Sequence, residues 1–68
     1  MLNLIDIKED SLPNVGDLIT DTSDGSIGLI YDIRLKTYLV YWIHLNNNMV
    51  LDTKETSHSL YNFKLIPT

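Results

Sequence analysis

The sequence predicts an all-β fold, a small five-stranded barrel with a short helical turn before its last strand, on three observations. Stretches rich in β-branched and aromatic residues recur at short intervals, most densely in IGLIYDIRLKTYLVYWI at 27–43. Turn-forming residues bound them: TSDGS at 22–26, RLK at 34–36 and the three asparagines at 46–48. No segment carries a sustained amphipathic-helix pattern. Strands this short, in a chain too small for two packed sheets, favour one curved sheet closing on itself.

The elements follow in order. Residues 1–14 form an N-terminal arm or extra strand, and residues 15–68 the barrel. In the arm Leu2, Leu4, Ile5 and Ile7 fit neither a clean alternation nor a helical stripe. Pro13 fixes its own φ and pushes Leu12 towards extended geometry, so SLPN at 11–14 is punctuation. VGDLITD at 15–21 is the first strand, and Gly25 is free to take positive φ in the turn after it. IGLIYDI is the second strand, RLK a tight connection, and TYLVYWI the third strand. After the asparagine turn at 46–48, Met49 to Thr53 make the fourth strand. KETSHS is a polar loop, SLYNF a short helical turn, and KLIP the last strand, ended by Pro67.

Composition narrows the function. A domain of 68 residues has a marginal core. The absence of cysteine excludes a disulfide framework and a thiolate zinc site. Nine acidic residues against five basic ones give a net charge of −4, with Lys8, Arg34, Lys36, Lys54 and Lys64 scattered. Nucleic-acid affinity rests on massed cations that displace counterions, so a nucleic-acid partner is disfavoured. The N-terminus lacks the features of a secretory signal, and no apolar run reaches membrane-spanning length, so no membrane partner is expected.

The candidate chemistry is sparse. Asp17, Asp21 and Asp24 cluster around the first loop, but their spacing misses the EF-hand pattern, and turn formation accounts for them. His44 and His58, with Ser57 and Ser59 nearby, supply the residue types of a hydrolytic triad without an evident cleft, and two histidines alone make a poor zinc site. Gly16, Gly25 and Gly28 match no nucleotide-binding fingerprint. Trp42 alternates with Tyr38 and Val40, which places it in the core rather than on a stacking platform. The expectation is therefore a non-enzyme, with no catalytic residues, no metal and no cofactor.

Several short motifs carry a resemblance: Val15-Gly16-Asp17-Leu18, Gly25-x-Ile27-Gly28-x-Ile30, Tyr38-x-Val40-x-Trp42, and Leu60-Tyr61 before Leu65-Ile66-Pro67. Over residues 15–67 the chain resembles SH3-like barrels of the KOW and Tudor type. More narrowly, it is similar to short SH3-like proteins of uncharacterised role from tailed bacteriophages. The resemblance implies a phage accessory or virion component, located in the host cytoplasm or in the particle. It also implies that Ile27 and Ile30 both point inward, which strict alternation forbids. A bend or bulge at Gly28 reconciles the two.

That register gives a core of Leu18, Ile27, Ile30, Val40, Trp42, Val50 and Leu65. Leu29, Tyr31, Leu39, Tyr41 and Ile43 then face outward as a contiguous apolar patch, with Asp32, Arg34 and Lys36 as a polar rim. At roughly 1.5 to 3 kcal/mol each, burying the five gives about 7 to 15 kcal/mol, comparable with an association cost of about 4 to 15 kcal/mol. The predicted role is a protein-interaction module that binds a protein partner or forms a homo-oligomer through these eight residues. Two alternatives stand beside it. The arm folds over the patch and completes a monomer core, or the barrel is a nucleic-acid-binding or polymerase- or ribosome-associated accessory, with Tyr31, Tyr38 and Tyr41 stacking on bases and Arg34 and Lys36 meeting phosphates.

Overall fold

Period-two alternation organises the centre of the molecule, which is described by a computed structural model over residues 3–67. β3 (Ile27–Arg34) and β4 (Thr37–Trp42) pair antiparallel. Along β4 the residues alternate half-buried and buried, so Tyr38, Val40 and Trp42 point to one side. A two-residue tip joins the strands, and Leu35 takes the left-handed φ of 56° there. Leucine seldom adopts that conformation, and here the side chain is fully exposed.

β5 (Asn47–Asp52) pairs with β4 in unbroken register from Trp42↔Asn47 to Thr37↔Asp52. β2 (Leu18–Thr20) flanks β3 on its other side, and β6 (Lys64–Ile66) flanks β2. β1 (Ile5–Asp6) adds to β6 through Ile5↔Leu65 and Asp6↔Lys64. The result is an open six-stranded antiparallel sheet ordered β1-β6-β2-β3-β4-β5. The fold is all-β, as the sequence predicts, but it is not a closed five-stranded barrel. The arm supplies a sixth strand at one edge, and β5 remains the other edge. Side chains cover the concave side instead. Ile7 follows β1 into the core, and Leu60 enters from the short 3-10 turn Leu60–Asn62, which Ser59 caps by accepting from the Tyr61 N–H.

The core consists of Ile7, Ile19, Ile30, Tyr38, Val40, Trp42, Leu51 and Leu60, with Leu65 and Phe63 packed against it. Three expected core residues lie elsewhere. Ile27 and Val50 are 40% and 52% exposed, and Leu18 is half-buried on the convex side, opposite Leu29. The bulge expected at Gly28 is displaced: the β3–β4 register shifts between Ile30 and Asp32, making Tyr31 the extra residue. Alternation therefore holds from Ile27 to Ile30, and Gly28 itself faces the core. A Cβ there would lie 2.6 Å from Val40 Cγ1 and 3.0 Å from the Trp42 ring. Its glycine serves close packing, not bending. For Val50 the cause is the turn, since Asn47 already pairs with Trp42 and the phase of β5 differs by one from a turn at 46–48.

The arm is held partly by charge. The Lys64 ammonium bonds to Asp6 Oδ1, and this hydrogen bond and charge hold the Asp6 carboxyl below its ordinary value of 3.8. A carboxyl depressed in the folded state contributes stability that is present above the unfolded value and lost as pH falls through the folded one. Amide exchange at Ile5, whose N–H points to β6, should therefore accelerate, relative to Ile19 and Val40, as pH drops below 3.8. Asp6→Asn should remove that acid-dependent difference. An unchanged ratio in the wild type across this range would show that the pair does not hold β1.

Candidate interaction face

The convex face is built from rows of cross-strand neighbours, because residues directly opposite each other in a sheet share a side. One row runs Ile66–Leu18–Leu29–Tyr41–Asn48 across five strands. The next runs Asp32–Leu39–Val50. Ile27 and Ile43 meet at the end of the sheet, where the Ile43 N–H donates to Ile27 O over 3.0 Å. Of the predicted residues, Leu29, Tyr31 and Tyr41 come together with Asn48 around a shallow open groove of about 400 Å³. Tyr31 and Ile43 are 44% and 54% exposed, while Leu29, Leu39 and Tyr41 are half-buried against their neighbours. The Tyr41 hydroxyl and Asn46 Oδ1 are hydrogen-bonded, tying the ring to the β4–β5 turn.

The polar rim is less unified. Arg34 Nε lies 3.0 Å from Asp32 Oδ2, and Asp32 Oδ1 accepts the Ile33 N–H, so these two form a local exposed pair beside Leu39. Lys36 is placed apart from them. It belongs to the hairpin tip, where it lines a cleft with Leu35, Thr37, Asp52, Thr53 and Lys54. Leu18, Ile27, Val50 and Ile66 enlarge the face and were absent from the expected set. Their signal was the alternation itself: once Val40 and Trp42 point inward, pairing sends Leu29 and Val50 outward, and Leu18 with them.

No protein-family model, curated protein or solved structure matches this chain.

The surroundings of the face bear on its role. Among the described residues the arm does not cover the face: Ile5 pairs with Leu65, Ile7 enters the core on the concave side, and Leu4 is exposed. Leu2 lies outside the described residues. Tyr38, a base-stacking candidate, is 5% exposed within the core, and its burial pushes the phenol above its usual range. The aspartates of the first loop organise turns. Asp17 Oδ2 accepts the Asn14 N–H at 2.8 Å, Asp21 Oδ1 accepts the Ser23 N–H and hydroxyl, and Asp24 Oδ1 accepts the Ser26 N–H. That last bond is the main reason the Asp24 carboxyl sits below its ordinary value. Ser57 Oγ and His58 Nδ1 are 3.1 Å apart on an exposed turn, whereas Ser59 is buried as the cap of the 3-10 turn.

Proposed function

We propose that this chain is a non-enzymatic protein-interaction module whose convex sheet face is buried against protein, either a partner or further copies of itself. The observation that carries the reading is contiguity. Leu18, Leu29, Tyr41, Leu39, Val50, Ile27 and Ile43 adjoin one another across four strands, with Asn48, Thr20 and Asp32 among them. Scattered apolar residues on a surface need no explanation, but a continuous patch does. Magnitude supports it too. Leu29, Leu39 and Tyr41 have already lost part of their water contact within the sheet, which lowers their share of the gain, and Ile27 and Val50 restore it. The tyrosines suit a contact surface, since each combines apolar area with a polar tip.

An accessory or virion role belongs to the same proposal and rests on the short sequence motifs of residues 15–67 alone. Two features count against base stacking: Tyr38 is enclosed in the core, and Arg34 is paired with Asp32.

The most exposed positions give the cleanest test. Tyr31→Asp and Ile43→Asp should each shift stability by no more than about 0.5 kcal/mol, as surface changes usually do. Each should abolish the assembly made through this face, whether an oligomer or a complex formed with extract of the native source. Size-exclusion chromatography with light scattering reads the mass, and a thermal melt reads the fold. A wild-type chain that stays monomeric and retains nothing from that extract rules out the reading.

A further inference from the structure

We infer that the free edge of β5 pairs antiparallel with β5 of a second copy, joining two six-stranded sheets into one. This surface is the backbone edge of the strand, which adjoins the convex face at Val50 but does not depend on what that face binds. The inference starts from backbone direction. The Asp52 N–H donates to His58 O over 2.9 Å, away from β4. Hydrogen-bonding direction alternates along a strand, so the N–H and C=O groups of Val50 and Asn48 also point away from β4. Among the described residues, neither of these N–H groups has a backbone partner on that side.

Native sheets blunt exposed edges with lysine, proline, bulges or very short strands. The opposite edge follows that rule: β1 has two residues and carries the Asp6–Lys64 pair. β5 does not. Its six residues, NNMVLD, hold no lysine, proline or glycine, and its register with β4 is unbroken. Asn48 and Val50 are both exposed.

A second copy fits this edge in a way that follows from its symmetry. With a two-fold axis at Met49, Asn48 faces Val50 of the other copy and Val50 faces its Asn48. Each opposed pair exchanges two N–H···O bonds, which satisfies all four outward donors. Longer pairing is blocked at one end, where His58 O takes the Asp52 N–H, and at the other by the turn at Asn46, with its φ of 50°. The stretch from Asn47 to Leu51 is uncharged, and Asp52 falls opposite Asn46 of the second copy. Two chains of net charge −4 therefore meet without an acidic contact. The convex rows continue across the junction, from Leu39 and Val50 to Asn48 and Tyr41 of the other copy.

Val50→Pro tests this on the full chain. Proline removes the outward N–H, which the β4 ladder does not use, and is tolerated on edge strands with that orientation. Each dimer loses two of four bonds, so the dissociation constant from sedimentation equilibrium should rise by about 5- to 150-fold. Val50→Thr keeps the N–H and the branched shape and should remain dimeric. If Val50→Pro unfolds, amide exchange in the wild type decides: protection at Asn48 and Val50 should grow with protein concentration while that at Val40 does not. Concentration-independent exchange at both positions, or a dimer unaffected by Val50→Pro, overturns the edge. If Tyr31→Asp alone dissociates the oligomer, the convex face stands and the edge fails. If Val50→Pro alone does so, the reverse holds.

Discussion

Trp42→Ala should lower the urea midpoint of unfolding by about 30% or more. Trp42 is 3% exposed, lies against the Gly28 backbone, and tilts onto Phe63 with centroids 5.2 Å apart. Truncating a buried tryptophan to alanine costs about 3 to 5 kcal/mol in lost transfer energy and cavity. A chain of 68 residues has roughly 3 to 10 kcal/mol of stability in all. The substitution thus removes about 30% of the total at least, and all of it at the low end. Trp42→Phe should behave differently. It keeps an aromatic disc against Phe63, and Nε1 has no acceptor among the described residues, so no hydrogen bond to protein is lost. Urea titration followed by circular dichroism is the measurement, because the chain's lone tryptophan is the residue removed. Equal midpoints for Trp42→Ala and the wild type would mean that the ring does not hold the sheet's concave side.

The contrast between these strands and the rest shows what was readable in the sequence. β3 and β4 were legible because eight and six residues of alternating, β-branched and aromatic character leave little freedom of phase. They gave Ile30, Val40 and Trp42 inside and Tyr31, Tyr41 and Ile43 outside, but Ile27, expected inside, faces out because the bulge falls at Tyr31 and not at Gly28. β2 has three residues, too few for a period to declare itself, and Ile19 rather than Leu18 proved the buried one. The asparagine run hid the phase of β5. Any of the three can take positive φ, but only Asn46 does, and Leu51 went inward while Val50 went out. The arm was ambiguous for a similar reason. Of its apolar residues Ile7 reaches the core, a choice fixed by β1 pairing with β6, far away in sequence. For the face, orientation followed from pattern, whereas the separation of Lys36 from Asp32 and Arg34 followed from the hairpin tip.

Gly28→Ala should destabilise the fold even though alanine usually favours a strand over glycine by about 0.5 to 1 kcal/mol. The added methyl would meet Val40 Cγ1 at 2.6 Å and two Trp42 ring carbons at 3.0 Å. Val40 is stiff at χ1 and fully buried, and Trp42 is pinned between Gly28 and Phe63, so neither moves cheaply. Overpacking of this kind costs about 1 to 3 kcal/mol, which exceeds the backbone gain. Such a shift alone would not identify the clash, and a double-mutant cycle does. In a Val40→Ala background Cγ1 is gone, leaving only the two 3.0 Å contacts, so Gly28→Ala should become neutral or mildly stabilising. The coupling should amount to at least about 1 kcal/mol, within the range for residues in contact. A cost for Gly28→Ala that is identical in both backgrounds would place the strain elsewhere. It would also reopen the reading of Gly28 as a hinge, and with it the assignment of Ile27 and Leu29 to the convex face.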